Sequence, residues 1–331
     1  MNQHQSQFAG PRLVTPAIRV AACVLTCQRP KLLERCLDSI AGQLLDHRVS
    51  LELVIVINGR SKIGQTFEVI EQFRGRHPDL VVTVARVPER NIAKARNCAV
   101  ARASYMGAQH VWFMDDDAVA EPDCLAALMS DEALRYDVVS GITAFSFPDP
   151  MPFWAIAEDA VVPNIPEFHP RKVCNTGNCR FSVELWRQGL RFDDRYGLIG
   201  GEDHAFFEKA HLRGFKIVKL PSAIARETYH RDRLTYPMQI YKAYCEAANG
   251  QHRLADRKGR LGAIVRRAPS VIMDLGKGGV MYAAGLLARP FSVERYKRLV
   301  LTGGRRMARG RGRIAAMLGG KPQSYRTIEG E

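Results

Sequence analysis

Three consecutive aspartates, Asp115, Asp116 and Asp117, stand at the end of the apolar run His110-Val-Trp-Phe-Met114. Adjacent carboxylates repel one another and resist burial. A divalent cation removes that penalty, and hard oxygen ligands suit Mg²⁺ or Mn²⁺. Such a cation would bridge the phosphates of a nucleotide and stabilise a departing diphosphate. The triplet also fits a solvated acidic loop before the next helix, but its position directly after a strand favours the metal. A second acidic pair, Glu202 and Asp203, follows Gly200-Gly201. A single-displacement transfer needs a base within hydrogen-bond reach of the acceptor hydroxyl, and the two glycines let backbone approach a ligand closely. Asp203 is the candidate base. It also suits the N-cap of a helix running through Arg213, and one carboxylate can serve both roles.

Other polar residues are more ambiguous. Asn175-Thr176-Gly177-Asn178 fits either a plain turn or a surface that reads sugar hydroxyls. His230 fits either a satisfied structural histidine or a ligand. Trp112, Trp154 and Trp186 read as core, with Trp154, inside a proline-rich loop, the candidate sugar platform.

The order of these motifs resembles the family 2 glycosyltransferases, which have the GT-A fold. There a first strand ends in a Thr-x-Asn-Arg-like turn, here Thr26-Cys27-Gln28-Arg29, and a second in Asp-Asp/Asn-Gly-Ser, here Ile57-Asn58-Gly59-Arg60-Ser61. An Ala-Arg-Asn helix (Ala95-Arg96-Asn97) precedes the acidic motif, and Gly201-Glu202-Asp203 follows it. The resemblance covers residues 18–235. It implies that Thr26, Arg29 and Asn58 line the nucleoside pocket and that Arg96 lies near the diphosphate. It implies that Asp115 and Asp116 contact the donor, that Asp115 and Asp117 hold the metal with His230, and that Asp203 is the general base. Glu202, Asn175 and Trp154 then face the acceptor. Asn58 departs from the pattern where the family often has an Asp that grips the base, although an amide still hydrogen-bonds a pyrimidine edge. The activity implied is inverting transfer from a nucleotide-diphospho-sugar, UDP-linked, in exopolysaccharide or other surface-glycan assembly. A nucleotidyltransferase with similar metal logic is the second reading. It would need a glycine-rich phosphate loop near the first strand, and Thr26-Cys-Gln-Arg-Pro30 has no glycine. A membrane-docked binding protein that kept the fold without the chemistry is the third.

The elements that must position these residues alternate. Apolar strands are expected at 18–26, 51–57, 80–87, 110–114 and 138–145. Helices are expected after Pro30, over 65–74, over 91–106 and after Pro122. This is the pattern of an α/β fold of Rossmann type, a mainly parallel sheet flanked by helices, with ligands at the carboxyl ends of the strands. Thr26–Arg29, Asn58–Ser61 and Asp115–Asp117 all lie at such ends. Beyond six prolines between 148 and 170, further elements are expected at 173–182, 183–188, 203–213 and 215–220, then a helix over 235–256.

The net charge of +14 sits in the tail. Between Arg257 and Arg326 there are 17 Lys/Arg and 2 Asp/Glu, whereas the remainder holds 31 and 32. A neutral body argues against a nucleic-acid binder, and a basic tail argues for a polyanionic surface. The tail mixes basic residues with short apolar runs, so residues 236–331 are expected to form a basic amphipathic helical region. It would dock on the anionic cytoplasmic leaflet or pack as a helical arm. Glycines 276, 278, 279 and 285 weaken any long helix there. No stretch of roughly 18 uncharged apolar residues occurs. Met1 to Thr15 lacks an apolar core, so residues 1–17 read as a loose leader without a secretory signal. Eight cysteines without a Cys-x-x-Cys are expected as free thiols in a reducing compartment. The expected location is cytoplasmic and peripheral on the inner membrane face.

Overall fold

The computed structural model describes residues 18–323, so the leader over 1–17 lies outside the described residues. A nine-stranded sheet runs through the body. Its strands are β1 (Ile18–Thr26), β2 (Val49–Asn58), β3 (Val82–Val87), β4 (His110–Asp115), β5 (Ala118–Ala120), β6 (Val138–Ser146), β7 (His169–Arg171), β8 (Asn178–Ser182) and β9 (Ile217–Thr228). The order is β3-β2-β1-β4-β8-β6-β9-β5, with β7 on β9. The four strands β3, β2, β1 and β4 are parallel, as the apolar runs predict. The second half is mixed: β8 is antiparallel to both β4 and β6, while β6 and β9 are parallel.

Both faces are covered, because successive residues of the central strands point to opposite sides. Val20, Ala22 and Val24 of β1 pack with α1 (Pro30–Ala41), α2 (Ile63–Arg76) and α4 (Cys124–Leu128). Ala21 and Cys23 pack with α3 (Ile92–Tyr105), α5 (Glu184–Arg187) and α6 (Glu202–Leu212). Leu33, Cys36, Leu37 and Ile40 form the buried face of α1, but Leu44 lies past its end and is 66% exposed. No disulfide occurs among the described residues, which include all eight cysteines.

The tail departs most from expectation. Its helix is not weakened at the glycines but extends over α7 (Tyr236–Ala288), reverses at Gly259, and is followed by α8 (Val293–Met317). Gly259 has φ 72° and ψ 161°, a conformation nearly closed to other residues, and it divides α7 into limbs over 236–258 and 260–288. Helix α8 lies between the limbs. Gly304 packs on Tyr236 and Ile240, and Gly312 on Tyr244 of the first limb. Gly303 packs on Gly278 and Tyr282, and Val300 on Gly285 of the second. A Cβ on Gly278 or Gly303 would meet the facing backbone at 2.7–2.9 Å. These glycines are therefore contact surfaces that let helices approach. No run of roughly 18 uncharged apolar residues occurs here, but a helix need not be wholly uncharged to cross a membrane. By length and composition α7 holds an 18-residue window of mean hydropathy 1.3 that could cross one, and 22% of it is buried.

Candidate active site

The acidic triplet sits where β4 ends beside β1. Asp115 closes β4, and its N–H donates to the Gly177 carbonyl at 3.3 Å. A Cβ on Gly177 would come within 2.8 Å of Asp115 Oδ2, so a side chain there would push that carboxylate aside. Arg29, at the end of the β1 turn, reaches across. Its Nη1 donates to Asp116 Oδ1 and to Asp117 Oδ2, each at 3.0 Å. The turn is tight enough to hold Gln28 at φ 60°, a left-handed conformation that non-glycine residues seldom adopt. From the far side Arg233 Nη2 donates to Asp117 Oδ2 at 3.2 Å, and its Nη1 donates to Glu227 Oε1 at 2.7 Å. Arg233 and Glu227 were not anticipated; they come from the end of β9 and the turn after it, and the pairing of β9 with β5 and β6 brings them here.

The second acidic pair lies at the start of α6. Glu202 is fully buried and forms a short ion pair with Arg96 of α3, itself 5% exposed. Arg96 thus meets the Glu202 carboxylate rather than standing open toward a diphosphate. Asp203 is not the N-cap expected of it. Gly201 caps the helix at φ 87°, Glu202 is the first helical residue, and the Asp203 side chain, 15% exposed, accepts from its neighbour instead. His204 donates to Asp203 Oδ1 from its backbone N at 2.6 Å, and its ring Nδ1 lies 3.0 Å from the same oxygen.

Electrostatics divide these carboxyls into two kinds. Burial, with the Asp117 charge beside it, pushes Asp115 up to about 6. Burial also pushes Asp116 up to about 6 against the pull of Arg29, Glu202 up to about 7 against Arg96, and Glu227 up to about 8. For Asp203 burial acts in the same direction, but the hydrogen bonds and charge of His204, with Arg96, outweigh it and leave the carboxyl below its ordinary value. Asp203 is the carboxylate held ionised. The raised groups carry a testable sign. A carboxyl raised in the folded state binds a proton that the unfolded chain has released, so its stabilising contribution is complete below about pH 4 and lost as pH climbs through its folded value. Without divalent cations, calorimetry should therefore show the melting temperature falling as pH rises through about 6 to about 8. A flat profile would mean these groups are already ionised in the fold.

Several buried polar atoms around this cluster have no protein hydrogen-bond partner, namely Arg29 Nε, Thr176 Oγ1 and Glu202 Oε2, while the Thr26 hydroxyl lies beside the Asp116 carboxylate. Buried polar groups are normally satisfied, so this concentration marks a surface built to meet a polar ligand. Among the described residues no three His, Cys, Asp or Glu side chains form a group that holds a cation by itself. That still fits Mg²⁺ or Mn²⁺ at a nucleotide, which takes one or two carboxylates and completes its shell with phosphate and water. Asp115 and Asp117 are the residues that fit this role. His230 is not gathered with them; it caps the turn over 231–234, with Nδ1 3.3 Å from Asp232 Oδ2.

The remaining candidates lie around the rim. Asn58, at the end of β2, spends its side-chain N–H groups on the carbonyls of Val87 and Glu89, at 3.2 and 2.6 Å, so the hydrogen-bonding face it would offer a base is its oxygen. Asn175 is exposed, whereas Asn178 is buried and braces three strands. It accepts from Trp112 Nε1 at 3.0 Å and donates to Ile142 and Ala223 carbonyls at 3.1 Å. Trp112 is fully buried core. Trp154 is half-buried, with Tyr236 and Tyr296 rings 4.9 and 5.9 Å away, so it joins the proline-rich loop to α7 and α8.

Residues 21–182, which carry β1 through β8, match the family model described as glycosyl transferase family 2. Over 286 residues the chain is 26% identical to the succinoglycan biosynthesis protein ExoM of Rhizobium meliloti, covering 82% of this chain and 85% of that one. Its fold is that of the mannosyltransferase PcManGT from Pyrobaculum calidifontis, solved with GDP-Man and Mn²⁺. The TM-score is 0.60 at 18% identity, over 92% of this chain and 91% of that one. It also resembles GalNAc-T7, solved with UDP, GalNAc and Mn²⁺, with a TM-score of 0.53 and 12% identity over 71% of this chain and 51% of that one. The architecture is thus the GT-A glycosyltransferase fold.

Proposed function

We propose that this chain, whose residues 21–182 match the glycosyl transferase family 2 model, is an inverting, divalent-metal-dependent transferase of that family. It would move a sugar from a UDP-linked donor to a glycan or lipid-linked acceptor in exopolysaccharide assembly. The observation that carries the reading is the contrast between Asp203, kept ionised by His204, and Asp115 and Asp116, whose carboxyls burial raises, beside Asp117. One group is suited to take a proton; the others are suited to a cation and a polyphosphate. Asp115 and Asp117 would hold Mg²⁺ or Mn²⁺, which would supply charge neutralisation for the leaving diphosphate.

The remaining work falls to the chain itself. The Asp203 carboxylate accepts the proton of the acceptor hydroxyl as that oxygen bonds to the anomeric carbon, while the bond from that carbon to the diphosphate oxygen breaks. Attack opposite the leaving group inverts the anomeric centre. His204 orients Asp203 and keeps it ionised. Arg29 and Arg233, gripping Asp116 and Asp117 in the donor-free state, supply fixed positive charge beside the phosphates. Thr26 and the Asn58 oxygen border the nucleoside. Asn175, Glu202 and Trp154 belong to the acceptor side, and His230 would need to turn from Asp232 to reach a metal. We draw the catalytic domain over 18–235 and the helical region over 236–331. We place the enzyme peripherally on the inner membrane face, held by its basic tail. No nucleic-acid partner is proposed. The nucleotidyltransferase alternative lacks support from the β1 turn, which has no glycine to wrap a triphosphate.

Thermal unfolding with UDP, GDP and CDP, each with Mn²⁺ or EDTA, tests the donor site. A ligand at a hundred times its Kd adds about 2.7 kcal/mol. UDP with Mn²⁺ should raise the midpoint and UDP with EDTA should not. A shift with GDP instead would change the donor base, and no shift with any nucleotide would return the chain to the non-catalytic reading.

A further inference from the structure

The second limb of α7, over 260–288, carries an apolar stripe that nothing in the fold covers. Leu261, Val265, Ile272, Val280 and Leu287 are each between 72% and 79% exposed. At 3.6 residues per turn these positions fall within an arc of about 100°. Exposed Gly276 and Ala283 lie in the same arc, which contains no charge. Exposed Arg266 and Lys277 stand along one edge of it. The opposite side of the limb, with Ala263, Val271, Asp274, Gly278 and Gly285, is buried. The turn into α8 continues the surface with Phe291 at 88% and Val293 at 59% exposure.

We propose that this stripe is the membrane-contact face. The limb lies flat in the headgroup plane of an anionic bilayer, its apolar arc at the acyl boundary and its basic edge among the phosphates. The inference rests on the membrane-docked reading above and specifies its surface. Charge complementarity selects the occupant. Two copies of the chain meeting on this face would crowd Arg266 and Lys277 against like charges, whereas anionic lipid neutralises them. A flat pose also respects the ion pairs beneath. Asp274 is buried and paired with Arg313 and with Arg306 at 3.7 Å. A spanning limb would have to leave α8, stranding that carboxylate in hydrocarbon.

The pose brings the acceptor side of the catalytic cleft to the bilayer edge. Lys297 of α8 stands 5.9 Å from the Phe153 ring, and Tyr296 stands 5.9 Å from Trp154. The same loop is held by Arg231, which donates to the Asp149 and Pro150 carbonyls at 2.8 and 3.0 Å, two residues before the Arg233 that grips Asp117. An acceptor anchored in that leaflet would present its hydroxyl beside the loop.

The test is co-flotation of the full-length protein with phosphatidylcholine vesicles, with and without roughly a third phosphatidylglycerol. The wild type should float with the anionic vesicles and be released by alkaline carbonate. The variant V265D/I272D should partition about tenfold more weakly or worse, while Y105D, a charge placed at a body residue 87% exposed, should match the wild type. Retention of the nucleotide-induced thermal shift by V265D/I272D certifies its fold. A wild type that ignores anionic vesicles overturns the membrane reading itself. A wild type that floats together with an equally avid V265D/I272D leaves docking intact and overturns this face. Resistance to carbonate overturns the flat pose for a spanning one. Unchanged flotation with a dimer that V265D/I272D breaks in light scattering assigns the stripe to a second copy.

Discussion

Replacing Asp203 with Asn is expected to lower sugar-transfer turnover by about 10²- to 10⁴-fold and to leave the nucleotide-induced thermal shift unchanged. The substitution keeps size and leaves an amide that cannot take a proton. The other carboxyls are poor substitutes. Glu202 is fully buried and engaged with Arg96, and Glu227, pushed up to about 8 by burial, is largely protonated at neutral pH. Asp115 and Asp116 are assigned to the donor in the proposed mechanism. His204→Ala should produce a smaller loss with a distinctive signature. Burial would then act on Asp203 with less opposition, so the acid limb of the rate profile should move to higher pH. The Asn variant should lose rate at every pH. Near-normal turnover by Asp203→Asn would remove that residue from the reaction and leave the site without a base.

Part of this arrangement is legible in the sequence, and the boundary has a physical cause. Strands β1, β2 and β4 are near-continuous apolar runs because a central parallel strand is buried on both faces. Their carboxyl ends carry Thr26, Asn58 and Asp115, so the crevice follows from three local patterns and one topological rule. The residues that complete the cluster come from long-range pairing that no local pattern encodes. Arg233 reaches Asp117 only because β9 crosses to join β5 and β6. Asp203 reads as a helix cap because it follows two glycines. The left-handed Gly201 takes that position and frees the Asp203 carboxylate for His204. The tail inverts the usual weight of glycine. Gly278, Gly285, Gly303 and Gly312 cost helix propensity in isolation, yet each removes a side chain where two helices meet. Propensity sees the local cost; only the packed layer shows the gain.

Arg96→Ala is expected to destabilise the body by about 3–5 kcal/mol, the usual consequence of stripping one partner from a buried ion pair. For a domain near 200 residues that corresponds to roughly 2–4 °C of melting temperature per kcal/mol. The effect should depend on pH in a way that lost packing would not. Burial already lifts Glu202 to about 7 while Arg96 pulls it back. Without that cation the carboxyl rises further. A group raised in the folded state contributes stability below its unfolded value and loses it as pH rises through its folded one. The gap between wild type and Arg96→Ala should therefore be small in mild acid, where Glu202 is protonated in the variant, and widen as the solution becomes alkaline. Adding Glu202→Gln to Arg96→Ala should recover stability at alkaline pH, because the charge that had no partner is gone. A gap of constant size from acid to alkali would reduce Arg96 to a packing residue. A gap that widens would show that this pair, joining α3 to the first turn of α6, keeps a buried charge beneath the segment that holds Asp203.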